Sequence, residues 1–237
     1  MMDFNELPEV DFPDEGVVRL MVLPNLVMFP RALQPIHIFE DRYRELVKDA
    51  LDADRLFAMG TTSDRVIQAG GKMIETIEPH ACLCRIVAHH RTIDGKYNLL
   101  VAGMRRIRLL DVMPSNTMYP ILKVRVCNDE LAADQEETQI KTLMHRLTEV
   151  VMGRLSDLPE AEEHFRQLLE CNLPLGTMTD LAAFLLDFEK DVKLQLLAET
   201  DVITRANLLI DLLENPHQIP WLTPSGLLTF PPEFSVN

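Results

Sequence analysis

Short apolar runs separated by turn residues fill the first half of the chain, from Val17 to Cys127. Runs of this length, bounded by Gly, Pro, Asn or Asp, are typical of β-strands. The pattern predicts seven strands, namely Val17–Leu23, Leu33–Ile38, Leu56–Gly60, Ala81–Arg91, Lys96–Val101, Arg105–Met113 and Tyr119–Cys127.

One segment of this half follows helical spacing instead. The apolar residues recur every three or four positions at Phe39, Tyr43, Leu46, Val47, Ala50 and Leu51. A stripe of this kind predicts a helix that begins near Phe39 and packs one face on the sheet. Pro24, Pro30 and Pro35 precede it, and because proline cannot donate to a sheet ladder, we expect a kinked connection there.

The dipeptide Asp94-Gly95 lies between two predicted strands. A type I′ turn needs positive φ at both central residues, and Asp-Gly supplies that at low cost. The sequence therefore predicts a β-hairpin with a type I′ turn at this point.

Beyond Asn128 the apolar period changes from two to about 3.6, which predicts five helices up to Asn215. Thr177 or Thr179 is the expected N-cap of the third helix, and Asn215-Pro216 is expected to end the fifth. The apolar positions of the five helices are Ile140, Leu143, Leu147, Val150, Val151 and Leu155; Phe165, Leu168 and Leu169; Leu181, Phe184, Leu185 and Phe188; Leu194 and Leu197; and Leu208, Leu209, Leu212 and Leu213.

These patterns predict an α+β fold, in which a β-rich, pseudo-barrel-like subdomain with one helix (17–127) precedes a C-terminal α-helical bundle (128–215). Residues 1–16 carry six acidic residues and no Lys or Arg, so we expect a disordered acidic lead-in. Residues 216–237 hold five prolines and three aromatic residues, which predicts an extended tail that folds back on the body or docks on a partner.

Charge and composition narrow the function classes. A formal net charge of −14 opposes binding to nucleic acid or to anionic lipid. The one basic cluster, Arg105, Arg106 and Arg108, is divided by strand alternation between two faces, which favours a solvated sheet surface. We found no secretory signal and no membrane span, and four scattered cysteines indicate free thiols, so we expect a cytoplasmic protein.

Two motifs carry a family resemblance. The first runs Leu-Pro-Asn-Leu-Val-Met-Phe-Pro (23–30), Pro-Ile-His-Ile-Phe-Glu (35–40) and Arg-Tyr-Arg-Glu-Leu-Val (42–47); the second is the turn and strand of 94–108, with Gly103 as a corner. Together with the helices, they make residues 17–215 resemble the Lon protease N-terminal domain family. Arg31, Asp41 and Cys84 depart from the family pattern, and Arg31 stands where glycine is common.

The resemblance implies a non-catalytic module that handles polypeptides. Full-length Lon proteases join this domain to an ATPase and a Ser-Lys peptidase, and this chain stops before either, so we expect a stand-alone member without protease activity. Phe29, Phe39 and Tyr43 are the candidates for polypeptide contact, because they lie at the kinked loop and the helix entry. The alternative is that all three simply pack the sheet against the helix.

Catalytic and metal chemistry have weak support in the sequence. We found no Gly-x-x-x-x-Gly-Lys-Ser/Thr, Gly-x-Ser-x-Gly or His-Glu-x-x-His motif, and we predict no catalytic residue and no cofactor. His37 is expected to be a hydrogen-bonded core residue, and Glu40 is expected to support the helix start. His80, Cys82 and Cys84 share one strand face and could present zinc ligands, but buried thiols are the favoured interpretation and we predict no metal.

The leading hypothesis is therefore a substrate-recognition or adaptor module. Its expected partners are unfolded or apolar polypeptide segments, and a separate ATP-dependent protease and a second copy of the chain are additional candidate partners. Two other classes stay open, which are a small-ligand or enzymatic site in a cleft between the subdomains and a structural oligomerisation module.

Overall fold

The computed structural model describes residues 10–69, 72–131, 137–156 and 159–215. Most of the predicted lead-in and the whole predicted tail, 216–237, lie outside these residues. The described chain divides between Cys127 and Asn128 into two compact units, a β-rich one and a helical one.

The β-rich unit consists of eight strands and one helix in its described residues. Their bounds are β1 Glu15–Val22, β2 Leu33–Ile38, α1 Asp41–Leu51, β3 Leu56–Gly60, β4 Thr62–Ala69, β5 Lys72–Ile77, β6 His80–Arg91, β7 Tyr97–Met113 and β8 Ile121–Cys127. The mixed α+β class is confirmed.

Six of these strands form one sheet in the order β2-β7-β6-β3-β1-β8, and β8 also pairs with β7. The second pairing closes β1, β3, β6, β7 and β8 into a ring, so the predicted pseudo-barrel is present. Closure depends on the 17-residue length of β7, which pairs with β2 near its start and with β8 near its end. The sequence predicted two strands here, Lys96–Val101 and Arg105–Met113. In the structure both segments belong to one continuous strand that includes Gly103. The pairing of this strand with β6 and with β8 contains register shifts, as at β-bulges.

The barrel interior is filled by alternate side chains of these strands, as strand geometry requires. Its fully buried members are Leu20, Ala58, Leu83, Ile107 and Val124. Each large apolar side chain removed from water in this way contributes roughly 1.5–3 kcal/mol.

The hairpin at Asp94-Gly95 forms between β6 and β7, but the predicted turn type is wrong. Only Gly95 has positive φ (81°), while the Gly95 amide donates to Thr92 O and the Thr92 amide to Lys96 O. This is a three-residue loop in which a type I turn is followed by a left-handed glycine.

Two further differences concern burial and pairing. The structure adds a hairpin, β4 with β5, that strand periodicity missed because its apolar residues do not alternate.

Arg106 is buried to 4% exposure, whereas Arg108 is exposed, so the basic cluster is not a fully solvated face. Arg106 lies in β7 with strand partners on both sides, Cys82 of β6 and Cys127 of β8, so it is an interior position of the sheet.

The helical unit contains the five predicted helices, α2 Glu137–Leu155, α3 Pro159–Glu170, α4 Leu175–Leu185, α5 Lys190–Ala198 and α6 Val202–Glu214. Helix α6 packs against α2, α4 and α5 through apolar side chains such as Leu147, Leu196 and Leu209. The predicted N-cap of α4 is wrong, because the helix begins earlier, after Pro174, and Thr179 is buried inside it. No described helix is both long enough and apolar enough to span a bilayer.

A buried arginine connects the helices to the segment after β8. Arg205 of α6 is fully buried, and its guanidinium contacts Asp129 Oδ2 at 2.8 Å and Asp180 Oδ1 at 3.3 Å. It also donates to the Glu199 carbonyl at 2.7 Å. Because a buried charge is tolerated only when it is paired, this cluster fixes the packing of α4 against α6.

Candidate functional site

A shallow depression lies at the junction of β2 and α1. It is open to solvent, with only about 10 Å³ available to the centre of a water-sized sphere, and is lined by Leu23, Ile36, His37, Ile38, Phe39, Glu40 and Tyr43. Leu23, Ile36, Ile38 and Tyr43 are buried and form an apolar floor.

Phe39 and His37 form the partly exposed wall of the depression. Their rings stack with centroids 6.2 Å apart and planes 26° from parallel. His37 Nδ1 lies 2.7 Å from Asn98 Oδ1, and since a carboxamide oxygen only accepts, the imidazole donates this bond. The bond orients His37, which in turn supports one face of Phe39.

Tyr43 holds α1 against the end of β1. Its hydroxyl donates to Val22 O at 2.7 Å and accepts from the Val22 amide at 3.1 Å. Val22 pairs with Gly60 of β3, whereas the pairing of β1 with β8 runs only to Arg19, so Tyr43 serves the side of Val22 that β8 does not cover in the described chain. Burial raises the pKa of the Tyr43 hydroxyl, with a smaller opposing effect from the bond to Val22. The Arg42 guanidinium lies 4.4 Å from the ring centroid and also pairs with Glu40 at 2.8 Å.

Glu40 is the N-cap residue of α1, which begins at Asp41 instead of near Phe39. Its carbonyl accepts from the Tyr43 and Arg44 amides, but its side chain makes no cap bond. The expected support of the helix start thus comes from the backbone of Glu40 together with the acidic Asp41 in the first turn.

Phe29 occupies a different environment from the other two candidates. Its side chain is fully buried, and it is not among the residues that line the depression. Phe29 to Ala32 form a turn with Pro30 second and Arg31 third, and the Ala32 amide donates to Phe29 O. Arg31 has φ 66°, which is the left-handed conformation that the third position of a type II turn demands.

The same turn forms a bulge against β7. The Arg31 amide donates to Gly103 O at 2.8 Å and the Gly103 amide to Ala32 O at 2.9 Å, so two residues oppose one. A Cβ on Gly103 would lie 2.0 Å from Phe29 O, which explains why glycine stands there. The departure noted in the sequence, arginine in place of glycine, is therefore located at a strained backbone position.

The cysteine and histidine set at the start of β6 has the geometry of buried structure. Cys82 and Cys84 are fully buried and their thiols donate to backbone carbonyls. Burial raises the pKa of the Cys84 thiol well above its ordinary value and lowers that of the His80 imidazole. Neutral thiols are poor metal ligands, and the described residues contain no cluster of three or more metal-ligating side chains.

Charge is distributed unevenly between the two units. Residues 10–127 carry 16 Lys and Arg against 14 Asp and Glu, a net charge of +2, whereas residues 128–215 carry 7 against 19, a net charge of −12. The overall excess of acid therefore belongs to the helical unit, and the surface near the depression is close to neutral.

Phe39 and Tyr43, two of the residues predicted to contact polypeptide, line this depression, whereas Leu23, Ile36, Ile38 and the contact of His37 with Phe39 were not predicted. A usable signal existed, because His37 and Phe39 are two residues apart at the end of a strand and so share one face. The assembled groups are apolar and aromatic side chains, one imidazole and one carboxylate already paired with arginine. Such a set suits reversible noncovalent binding of an apolar chain.

The described elements define an α+β fold class in which a small closed barrel is followed in sequence by a helical bundle. The model of the ATP-dependent protease La (LON) substrate-binding domain family matches residues 17–215, and the chain belongs to that family.

Individual relatives agree with this assignment. Lon protease 2 of Myxococcus xanthus is 24% identical over 203 residues, which are 86% of this chain and 24% of that protein. Lon protease of Anaeromyxobacter dehalogenans is 22% identical over 204 residues. The chain spans about a quarter of the length of these curated relatives.

Two solved structures share the fold. The N-terminal domain of the Mycobacterium avium complex Lon protease superposes with a TM-score of 0.64 at 19% identity, covering 84% of this chain and 99% of that one. A Lon N-terminal domain protein from Xanthomonas campestris gives a TM-score of 0.56 at 20% identity, covering 82% and 97%.

Proposed function

We propose that this chain is a non-catalytic polypeptide-binding module that holds apolar segments of other proteins at the depression between β2 and α1. In this proposal Phe39 contacts the client directly, Tyr43 forms part of the floor, and buried Phe29 supports the turn that leads into β2. Binding would present the client to an ATP-dependent protease, in an adaptor role.

The partly exposed Phe39 carries the proposal. It lies beside four buried apolar residues and is backed by His37, so an incoming apolar side chain would gain contact with aromatic surface at little cost in reorganisation. Membership of a substrate-binding domain family supports the same interpretation.

The test uses a permanently unfolded client, reduced and carboxymethylated α-lactalbumin labelled with a fluorophore. Fluorescence anisotropy should report saturable binding to this protein, with much weaker binding of the folded, disulfide-intact form. Phe39→Ala should raise the dissociation constant about tenfold, because it removes the central aromatic contact.

Val112→Ala is the matched control, since Val112 is 71% exposed but lies at the far end of β7. It should leave the dissociation constant unchanged. Equal affinity of wild-type protein and Phe39→Ala would overturn the location of the site, and lack of any binding by wild-type protein would overturn the proposed function.

A further inference from the structure

Strand β2 forms one edge of the sheet. It pairs with β7 on one side, and no other strand of the described residues pairs with its second side. An edge of this kind presents backbone N–H and C=O groups that an incoming chain can use.

The residues that face this free edge follow from the pairing. Gly103 donates to Ala32 O, and strand partners then run from Gln34 opposite Val101 to Ile38 opposite Tyr97. In an antiparallel ladder, hydrogen-bonded positions alternate, so Gln34, Ile36 and Ile38 bond to β7. Leu33, Pro35 and His37 therefore direct their backbone groups away from the sheet.

Proline at the middle outward position fits this assignment, because it has no N–H to lose. The Pro35 carbonyl is also engaged, since Gln34 Nε2 donates to it at 3.0 Å. The outward edge is thereby blocked at its centre. His37 is left as the position that offers both a donor and an acceptor next to the depression.

The lining of the depression indicates that it opens on the strand edge. Side chains alternate between the two faces of a strand, so a depression on one face is lined by every second residue. Ile36, His37 and Ile38 are consecutive residues of β2, and all three line it, together with Phe39 and Glu40, which follow the strand. Because side chains from both faces of β2 contribute, the depression reaches the backbone edge at the C-terminal end of this strand.

Charge is balanced at this edge. Glu40 and Asp41 beside the groove are paired with Arg42 and Arg44. Residues 10–127, the unit that carries the edge, hold 16 basic and 14 acidic residues, so backbone pairing and apolar contact, and not charge, would select the client.

We propose that the client binds by strand addition, with an extended segment pairing its backbone to His37 at the outer edge of β2 and its apolar side chain beside Phe39. The favoured client segment is β-prone and has a large apolar residue at its centre, which fits the apolar floor and Phe39. This inference rests on the proposed function, because it specifies how polypeptide is held at the same site.

The test compares three labelled peptides with one sequence, Ac-Lys-Lys-Thr-Val-Phe-Val-Thr-Lys-Lys-amide. One is unmodified, one is N-methylated at Phe and one is N-methylated at the Val that follows Phe. The two modified peptides lose equal numbers of N–H donors, but in an extended chain these donors face opposite edges. Strand addition predicts that one of them binds about tenfold more weakly than the other.

Two variants test the protein side of the pairing. His37→Ala keeps the backbone N–H and removes the ring, whereas His37→Pro removes both. His37→Pro should bind the unmodified peptide about tenfold more weakly than His37→Ala, since only it lacks the donor. Amide hydrogen exchange of wild-type protein should also slow at His37 when the peptide is bound, which keeps the test valid if His37→Pro does not fold.

The outcomes separate the two proposals. If the unmodified peptide binds in a Phe39-dependent manner but both methylated peptides bind equally and exchange at His37 is unchanged, strand addition is overturned and the proposed function stands. If the unmodified peptide shows no binding up to about 1 mM, the proposed function fails and the strand-addition inference fails with it.

Discussion

The β-rich unit is held together by strand pairing around a closed ring. Its most constrained positions are set by the backbone, namely Arg31 with its positive φ and Gly103, which has no room for a Cβ. The helical unit is held together by apolar helix faces and by one buried arginine, Arg205, whose guanidinium is paired with Asp129 and Asp180. Its most constrained position is therefore this buried charge. The comparison teaches that the barrel is sensitive to added atoms and backbone angles, whereas the bundle is sensitive to loss of a partner for a buried ion.

The largest effect is expected in the helical unit. Arg205→Met should lower its free energy of unfolding by about 3–5 kcal/mol, because Asp180, only 3% exposed, loses its buried counter-charge. Hydrogen exchange read separately over 10–127 and 128–215 would locate the loss in the second range.

Arg146→Met is the matched control for that change. Arg146 pairs with Glu214 at the surface, where the arginine side chain is half exposed, so its removal should have little effect. A loss as small in Arg205→Met as in Arg146→Met would show that the buried cluster does not hold the helices together.

The barrel should respond most strongly to one added methyl group. Gly103→Ala places Cβ about 2.0 Å from Phe29 O, so the turn or β7 must shift. We expect a loss of about 3 kcal/mol, measured by chemical denaturation, together with weaker client binding because the same turn leads into β2. Gly153→Ala is the control, since a Cβ on Gly153 meets nothing within 4 Å. Wild-type stability of Gly103→Ala would contradict the close approach.

Much of this comparison could be predicted from sequence, and the exceptions have physical causes. Periodicity located all five helices of the bundle and most barrel strands, because their apolar positions repeat. It did not give the turn type at Gly95, because Asp-Gly fits both a type I′ turn and a three-residue loop, or the start of α4, because Thr177 and Thr179 are good N-cap residues that lie inside the helix. The burial of Arg106 depends on β6 and β8, which flank β7 in the sheet.

The candidate site was predictable only in part for the same reason. Phe39 and Tyr43 could be identified by their place beside prolines and a helix start, but their different exposures could not. The burial of Tyr43 depends on Val22, and the edge position of His37 depends on which strands pair with β7. Resemblance indicated that Arg31 replaces a common glycine, and the structure gives the backbone angle that makes the replacement costly.

A smaller effect on the helical side concerns pH. Lys193 Nζ donates to Phe184 O at 3.2 Å, and burial lowers the pKa of Lys193 to about 8. The folded state therefore binds this proton more weakly than the unfolded chain, whose lysine pKa is near 10.4. Stability contributed by this group should be lowest below pH 8 and should rise by about 2–3 kcal/mol as pH increases from 8 to 10.4, because one pKa unit corresponds to about 1.4 kcal/mol.

Lys193→Gln isolates that contribution, because glutamine can still donate to a carbonyl but does not titrate. The difference in free energy of unfolding between wild-type protein and Lys193→Gln should change with pH over this window in favour of wild type. A difference that is independent of pH from 7 to 10.5 would contradict the lowered pKa.

The smallest effect sharpens the comparison on the barrel side, because there a substitution should stabilise the protein. Arg31→Gly should raise the free energy of unfolding by about 1 kcal/mol, since glycine adopts φ near 66° without the clash between Cβ and the carbonyl that arginine tolerates. Arg31→Ala is the control that also removes the side chain but keeps Cβ, and it should give no gain. Equal stabilisation by both variants would assign the effect to the arginine side chain. The positive φ of Arg31 would then not be a constraint on the stability of the barrel.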